Sequence, residues 1–377
     1  MRISLVSPAY PLRGGIAHYS TMLCRRLRQE HTVQFVSFAR QFPAWLHPTG
    51  ASDQDPSAEP LAIEGVERLI DTLNPLSWRR AGQAVRAFQP DLLVVAWWLA
   101  YMAPPMRAIC RQARRCPGAE ILFLCHNVAD HETSRLKSAL TRLAFAQADR
   151  FLTHSGEDRE RLLALRPGAR VALCHIPSYA SLSPRRIDKA EAKARLGLSG
   201  PTILFFGHVR HYKGLGVLLR AMPPIRRRIP ATLLVVGQFW KSERRELALI
   251  ERLGIADCVQ VRDEYVPNED LPWIFGAADV AALPYRSASG SAVAQLALGF
   301  GRPVVATRVG SLPEVIEDGE TGRIVPPGDS QALAEAILDA LAPENLERYT
   351  ANACRADERY TWDQLAQAVV SGETARP

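Results

Sequence analysis

Residues 301–329 read GRPVVATRVGSLPEVIEDGETGRIVPPGD, and this stretch predicts the fold of the chain around it. An apolar run at 304–306 suits a short buried strand, and a second candidate strand follows at 323–325. Glycine-marked turns and a short helical segment lie between them. Two strands that are joined through a helix run parallel in one sheet. The stretch therefore predicts one unit of a parallel α/β sheet.

The same alternation of strand and helix runs outward through the whole chain, in two halves of similar length. The predicted strands of the first half are 3–7, 32–37, 92–96, 121–125, 150–153 and 171–174. Those of the second half are 202–206, 232–236, 259–261, 280–283, 304–306 and 323–325. Predicted helices include 15–28, 75–88, 155–165, 213–228 and 268–275. Buried strands that alternate with helices indicate parallel sheets covered on both faces.

A chain of 377 residues suits two domains. We expect an N-terminal Rossmann-like domain at 1–178, a linker with a lead-in helix at 179–200 and a C-terminal Rossmann-like domain at 201–358. A final helix within 359–377 is expected to return to the N-terminal domain. Residues 39–74 lack clear periodicity and predict a surface excursion or a substrate-side flap. Ligands should bind at the carboxyl ends of the strands, in a cleft between two facing domains.

Composition, with 47% hydrophobic and 23% charged residues, is that of a soluble globular protein. The longest apolar run, 92–103, is too short to span a bilayer. The seven cysteines are scattered and lack CxxC spacing. That usage predicts a reducing, cytoplasmic location.

The formal net charge of +7 falls within residues 1–180, since the remainder is balanced. A basic half indicates a polyanionic or membrane-surface partner, or else the solvated surface of an arginine-rich protein. Arginines at helical spacing favour peripheral contact with an anionic membrane; they are Arg107, Arg111, Arg114 and Arg115. A nucleic-acid partner is not expected, because the arginines are not interleaved with an aromatic platform.

The first candidate motif is SPAYPLRGGIAHYS, at residues 7–20. Gly14 and Gly15 open a helix after a strand, so the backbone can approach a phosphate or a sugar closely. The motif is not GxGxxG, and no acidic residue follows the second strand at ribose-binding spacing. A nicotinamide dinucleotide site is therefore not expected. The alternative is a tight turn without a ligand.

The second motif is LFFGHVRHYKGLGVLL, at residues 204–219. Gly207 ends a strand, and Arg210 and Lys213 follow at its carboxyl edge. A guanidinium and an ammonium there suit a diphosphate; solvated surface charge is the alternative. The loop Ser289-Gly290-Ser291 precedes an apolar helix, and its N–H groups would bind the same anion.

The third motif is FLCHNVADHETSR, at residues 123–135. His126 directly follows a buried strand and so lies at the rim of the predicted cleft, where it could contact a sugar or its phosphate. A structural histidine is the alternative. Asp130, His131 and Glu132 lie near His126 in the sequence, and such a cluster can indicate a metal site. Its spacing is not HExxH, however, and no second ligand cluster follows. We expect no metal.

These motifs, in this order, resemble the retaining glycosyltransferases of family 4. The resemblance covers nearly the whole chain, through GGIAHY, FGHVRHYKGLGVLL, AADVAALPY and the opening stretch. It implies the GT-B fold, in which two Rossmann-like domains face one another. It also implies a nucleotide-sugar donor on the C-terminal domain, an acceptor on the N-terminal one, and no cofactor. Many such enzymes act at the inner face of the cytoplasmic membrane.

By this resemblance Gly14 and Gly15 lie beside the donor diphosphate, and His126 lies near the transferred sugar. Lys213 binds the diphosphate. Tyr265 and Val266 fall in the segment that lines the base pocket.

Two departures from the family pattern stand out. His208 occupies the position of the family arginine, and Arg210 is two residues further on. The Glu-x7-Glu pair falls on Ala288 and Leu296. The contacts of that pair to sugar and ribose would pass to neutral hydrogen-bonding groups, namely Ser289, Ser291 and Gln295.

The resemblance implies a metal-independent hexosyltransferase. It would move a sugar with retention from a nucleotide-diphosphate sugar to a hydroxyl of a glycan, lipid-linked sugar or glycolipid. A non-catalytic nucleotide-sugar-binding subunit of a glycan-assembly complex is the alternative, because both glutamates are missing. No motif supports epimerisation or phosphorolysis.

Overall fold

The computed structural model of the chain describes residues 1–42, 54–58, 61, 63–128, 134–179, 187–239 and 243–375. Its strands are β1 (Arg2–Val6), β2 (Thr32–Arg40), β3 (Val66–Asp71), β4 (Leu92–Trp97), β5 (Glu120–Cys125), β6 (Arg150–Thr153), β7 (Arg170–Leu173), β8 (Thr202–Phe206), β9 (Thr232–Val236), β10 (Val259–Arg262), β11 (Val280–Leu283), β12 (Val304–Thr307) and β13 (Gly322–Val325). Its α-helices are α1 (Gly15–Leu27), α2 (Pro75–Phe88), α3 (Ala103–Ala113), α4 (Arg135–Phe145), α5 (Gly156–Leu165), α6 (Lys189–Leu196), α7 (Leu215–Arg226), α8 (Glu243–Leu253), α9 (Leu271–Ala277), α10 (Ala292–Gly299), α11 (Leu312–Val315), α12 (Ser330–Ala340), α13 (Pro343–Ala356) and α14 (Trp362–Ser371).

The chain forms two compact units. The first comprises Met1–Pro56, Pro60–His175 and Trp362–Pro377, and the second comprises Ser57–Glu59 and Ile176–Thr361. Helix α14 thus belongs to the first unit, where Asp363 pairs with Arg26 of α1.

Helix α6, in the segment expected as linker and lead-in helix, packs within the second unit. The Nζ atoms of Lys189 and Lys193 lie 2.8 and 2.6 Å from the carboxylate of Asp279, which directly precedes β11. The two ion pairs attach α6 to the amino-terminal edge of the sheet.

The first unit contains a seven-stranded sheet in the order β3-β2-β1-β4-β5-β6-β7, with every pairing parallel. All six residues of β4 are buried, as helices on both faces of a central strand require. Chain order reverses between β1 and β4, which makes a topological switch point at the carboxyl ends of these strands.

The second unit contains a six-stranded parallel sheet in the order β10-β9-β8-β11-β12-β13. Strands β12 and β13 are neighbours, with Val304 opposite Gly322, and α11 lies between them in the chain. The opening stretch therefore forms the predicted strand–helix–strand unit. Here the switch point lies between β8 and β11.

Both sheets are parallel and doubly wound, so the predicted fold class of two Rossmann-like domains is confirmed, and all twelve predicted strands are present. The expectation of a surface excursion or a substrate-side flap over 39–74 is wrong at the ends of that range. Strand β2 continues to Arg40, and β3 pairs parallel to it at the sheet edge. An edge strand is only partly covered, so VERLID carries charges and lacks the continuous apolar run that predicted the inner strands.

Two predicted helices begin later than expected. The helix predicted from residue 213 starts at Leu215, because His211–Lys213 forms a 3₁₀ turn and Gly214 is left-handed at φ 72°. A Cβ on Gly214 would collide with the carbonyl oxygen of Pro284. The helix predicted from residue 268 likewise begins with a 3₁₀ turn, at Asn268–Asp270, before α9.

Candidate functional site

The loops after β8 and β11 lie side by side at the switch point of the second sheet. The backbone N–H of Arg286 donates to the carbonyl oxygen of Tyr212 over 2.6 Å. Gly214 packs against Pro284 so closely that no side chain fits between them. These contacts join the motif at 204–219 to the loop before α10, in the position where doubly wound sheets bind ligands.

Lys213 is the central cation of this site. Its side chain is buried, at 9% relative exposure, and its Nζ lies 5.6 Å from the ring centroid of Tyr285. Among the residues that the structure describes, no carboxylate pairs with it. Burial, together with the neighbouring Arg210 guanidinium, lowers the pKa of the ammonium to about 8. An unneutralised buried ammonium is the arrangement expected of an anion-binding group.

Gly207 provides the space for this ammonium. A Cβ at Gly207 would lie 2.8 Å from Lys213 Nζ and 3.5 Å from Cγ2 of Val293. The lysine therefore reaches past β8 to the first turn of α10. Gly207 also has φ 93°, a left-handed conformation that other residues rarely adopt.

The predicted anion loop precedes α10, and Ser291 caps that helix. Its Oγ accepts from the N–H of Ala294 over 3.2 Å. The N–H groups of Ala292 and Val293 belong to the first turn, which has no carbonyl partners within the helix. Val293 of this turn and Lys213 Nζ both lie close to Gly207, so a phosphate bound there would meet positive charge from the lysine and from the helix start.

The opening stretch of sequence holds this loop in place. The N–H of Ser311 donates to the carbonyl oxygen of Ser289 over 3.0 Å, and Gly310 packs directly against the carbonyls of Ala288 and Ser289. Gly290 lies between these anchored residues and is only half-buried. Gly310, one of the glycines of the opening stretch, thus supports the loop before α10.

Gln295 lies inside α10 with 1% relative exposure. Neither its Nε2 nor its Oε1 has a hydrogen-bond partner within the described chain. Buried amides normally find partners, so this one is available to a bound ligand. Leu296, where the family acid would stand, is also buried.

The remaining predicted donor residues are half-buried; they are Arg210, Tyr265 and Val266. Arg210 precedes the 3₁₀ turn that contains Lys213. Its carbonyl oxygen accepts a hydrogen bond from the backbone N–H of Lys213 over 2.9 Å. Tyr265 and Val266 follow β10, two strands away from β8 in the sheet order β10-β9-β8.

In the first unit, Gly14 and Gly15 open α1 at the carboxyl end of β1. No atom lies within 4 Å of the Cβ position at either glycine, so the space above the helix start is open. One turn along, His18 Nε2 lies 2.9 Å from Oδ2 of Asp55. This buried pair was not expected from the sequence, because Asp55 lies in the stretch without periodicity.

His126 follows β5 and is half-buried. Its ring meets Tyr19 edge-on at 4.7 Å and lies 5.4 Å from the ring of His154. Burial and the nearby His154 lower the pKa of His126 well below its ordinary value, so the imidazole is neutral. His126 Nε2 is buried and has no hydrogen-bond partner among the described residues.

The cluster considered as an alternative metal site lies mostly outside the described residues, since Asp130, His131 and Glu132 are not among them. Within the described ranges, no group of three or more metal-ligating side chains occurs. Across the same ranges, no helix is both long and apolar enough to cross a bilayer.

Family models match both halves of the chain. Residues 13–177 match Glycosyltransferase Family 4, and residues 200–343 match Glycosyl transferases group 1. The chain is 29% identical over 350 residues to a GDP-mannose-dependent alpha-(1-6)-phosphatidylinositol monomannoside mannosyltransferase of Mycolicibacterium smegmatis. That match covers 88% of this chain and 87% of the relative.

A second relative is a D-inositol 3-phosphate glycosyltransferase of Nocardia farcinica, 32% identical over 241 residues. The match covers 61% of this chain and 53% of that protein, so the chain spans about half the length of this relative.

Two solved structures share the fold. A sucrose-phosphate synthase from Thermosynechococcus elongatus superposes with a TM-score of 0.76 at 21% identity, covering 98% of this chain and 97% of that one. Anabaena HepE in complex with UDP-glucose superposes with a TM-score of 0.75 at 19% identity, covering 99% of each chain. The two doubly wound sheets therefore have the GT-B architecture.

Proposed function

The chain belongs to the glycosyltransferases that combine a Family 4 domain with a group 1 domain, and on this premise we propose that it transfers a sugar, with retention, from a nucleotide-diphosphate sugar to a hydroxyl acceptor. One observation carries the proposal. The Lys213 ammonium is buried without a described carboxylate partner, against Gly207 and the first turn of α10.

The donor diphosphate would bind between Lys213 Nζ and the N–H groups of Ala292 and Val293. In the reaction, the bond between the anomeric carbon and the β-phosphate oxygen breaks, and negative charge grows on the leaving diphosphate. Fixed cations and helix amides stabilise that charge most in the transition state, when it is largest. Lys213, Arg210 and the amides of α10 would thus supply the electrostatic catalysis, and no metal is required.

The acceptor oxygen would form the new bond to the anomeric carbon, and its proton would pass to the departing β-phosphate. The first unit would hold the acceptor, with His126 beside the reacting sugar and Gly14-Gly15 open to a phosphate or sugar. The acceptor would be a glycan, a lipid-linked sugar or a glycolipid. The printed names of two relatives, which act on inositol phosphate or a phosphatidylinositol mannoside, support a polyol acceptor that is phosphorylated or lipid-linked.

Neutral groups would replace the two family glutamates. The free amide of Gln295 would bind ribose or sugar hydroxyls, and the hydroxyls of Ser289 and Ser291 lie in the same loop. A neutral amide binds a hydroxyl less strongly than a carboxylate does. We therefore propose an active enzyme with a weaker hold on the ribose than the family pattern implies.

A lipid-linked acceptor would bring the protein to a membrane surface from the cytoplasm. Three arginines of the first unit, Arg107, Arg111 and Arg115, would contact anionic lipid there. Arg114 does not join them, because its guanidinium makes two hydrogen bonds of 2.8 Å to the carboxylate of Asp149.

The decisive experiment is calorimetric titration with UDP-, GDP- and ADP-sugars, followed by a transfer assay with NMR analysis of the anomeric configuration. Lys213→Met should weaken donor binding by about 10- to 100-fold. Lys189→Met is the matched control, because it removes a lysine at the opposite edge of the same sheet while Lys193 still pairs with Asp279. Equal donor affinity in the two variants would remove the assignment of this site.

A second candidate, a non-catalytic nucleotide-sugar-binding subunit, is motivated by Ala288 and Leu296 at the positions of the glutamates. It predicts donor binding that depends on Lys213 but neither transfer nor donor hydrolysis with any acceptor. Turnover by the purified chain, lost in Lys213→Met, would exclude it. Activity that persists in excess EDTA would support the metal-independent reaction.

A further inference from the structure

Two histidines lie next to one another at the carboxyl edge of the first sheet. His126 directly follows β5 and His154 directly follows β6, and these strands pair with Cys125 opposite Thr153. Their ring centroids are 5.4 Å apart. The carboxyl edge of a parallel sheet is where α/β proteins bind their ligands. The resemblance implies a role for His126 but none for His154.

The hydrogen bonding of His154 defines its tautomer. Its Nδ1 lies 2.6 Å from the carbonyl oxygen of Cys174. A carbonyl oxygen only accepts, so Nδ1 carries the proton and donates. In the neutral ring, the lone pair is then on Nε2, which points away from this bond. His154 is therefore a hydrogen-bond acceptor at Nε2.

This acceptor atom has no hydrogen-bond donor near it among the described residues. The Nε2 atoms of His126 and His154 are both buried, and neither has a hydrogen-bond partner in the described part of the chain. Leaving buried polar atoms unpaired is unfavourable, so such atoms in a native fold indicate a missing partner. Two unpaired atoms on adjacent rings indicate one partner that serves both.

The charge state of the pair limits what that partner is. Burial is the main cause that lowers the pKa of His154 to about 4, and it also lowers the pKa of His126 well below its ordinary value. Both rings stay neutral at physiological pH, so they offer no charge to a phosphate. A hydroxyl fits instead, because it donates to one ring and accepts from the N–H of the other.

We propose that His154 binds a hydroxyl of the neutral polyol part of the acceptor, which donates to His154 Nε2 and accepts from His126 Nε2–H. The proposal rests on the proposed function, and it extends the substrate-contacting set of the first unit by one residue. Tyr19, whose ring packs against both imidazoles at 4.7 and 5.3 Å, forms the wall of this site.

Two matched variants distinguish a contact of His154 with the acceptor from a purely structural role. In His154→Asn, the side-chain amide N–H replaces Nδ1–H toward Cys174, and only the Nε2 acceptor is lost. We expect the acceptor KM to rise about tenfold, as for the loss of one buried hydrogen bond, and kcat to stay within about twofold. His31→Asn changes a histidine that precedes β2 at the other edge of the sheet, and it should leave both constants unchanged.

A direct test uses the unmodified protein with ¹⁵N-labelled histidine, titrated with myo-inositol, mannose or inorganic phosphate. The His154 Nε2 resonance should move toward its hydrogen-bonded position with the polyols and stay in place with phosphate. An Nε2 resonance that is already hydrogen-bonded in buffer and insensitive to polyol would mean an internal water only, and would overturn the proposal.

The two proposals fail separately. Wild-type transfer with an unchanged acceptor KM in a folded His154→Asn variant would overturn the role of His154 and leave the glycosyltransferase activity standing. Polyol-dependent shifts at His154 without any transfer activity would overturn the glycosyltransferase activity and leave polyol binding at His154 standing.

Discussion

Lys213 Nζ lies 2.8 Å from the point at which a side chain on Gly207 would begin. The ammonium thus occupies space that only a glycine leaves, between the end of β8 and the first turn of α10. It is buried there before any anion arrives. A buried, unpaired charge lowers the stability of the ligand-free protein, and it also increases the affinity of the site for a diphosphate.

Lys213→Met should weaken binding of a nucleoside diphosphate by about 10- to 100-fold, since one charge-assisted hydrogen bond is lost. The same change should stabilise the empty protein. Burial lowers the pKa of Lys213 to about 8 in the folded protein, from its ordinary value of 10.5 in the unfolded chain. The destabilisation is therefore full below pH 8 and disappears as the pH approaches 10.5. At pH 7 the free energy of unfolding should rise by up to roughly 3 kcal/mol. Chemical denaturation checks the stability, and a drop would contradict the account.

Diphosphate affinity should depend on pH through Lys213. Above about pH 8 the empty site holds a neutral amine, so binding must take up a proton, and affinity should fall by up to about tenfold per pH unit. Lys213→Arg should show no such decline, because guanidinium stays charged. Calorimetry from about pH 7 to about pH 9.5 in both proteins tests this. Parallel profiles for lysine and arginine would contradict the assignment.

Gly207→Ala should weaken donor binding as well as stability. Its φ of 93° is strained for alanine, and the new methyl group displaces the ammonium. Gly319→Ala is the matched control, with φ 82° and no atom within 4 Å of the Cβ position. Both should lose about 1 kcal/mol or more from backbone strain. Only Gly207→Ala should lose affinity for UDP or GDP, and an equal loss in both would attribute the effect to strain alone.

Gln295→Met should lower nucleotide affinity about three- to tenfold while it stabilises the empty protein. The amide is buried without a partner, so an apolar side chain of similar length removes a desolvated polar group. Calorimetry with UDP or GDP and thermal unfolding measure the two effects. If stability falls and affinity stays constant, the amide has a structural partner and no role in binding.

Replacing Arg107, Arg111 and Arg115 together by alanine should reduce co-sedimentation with anionic liposomes about tenfold or more, since each basic residue near a charged surface contributes about 1 kcal/mol. Arg114→Ala should instead lower stability, because it breaks the pair with Asp149. Co-sedimentation that is independent of anionic lipid content would contradict a membrane contact through these residues.

By itself, the sequence determined the elements whose signal is local. Twelve strands were predicted from short, mostly apolar runs, and Asn74, Ser155 and Ser291 cap helices through contacts two or three residues away. The glycines that end strands and open helices were also evident, because backbone conformation restricts which residues fit there. The candidate residues Gly207, Lys213, Ser291 and Gln295 follow from such patterns.

Only the tertiary structure shows the features that depend on contacts between residues far apart in the sequence. The edge strand β3 is stabilised by pairing with β2, and its own residues carry little apolar signal. Whether Lys213 has a carboxylate partner, or Gln295 any partner at all, depends on which loops the sheet order places beside them. His154 looked ordinary in the sequence, and only the pairing of β5 with β6 sets its free nitrogen beside that of His126. Hydrogen-bond satisfaction is a property of the packed molecule, so no local pattern reveals it.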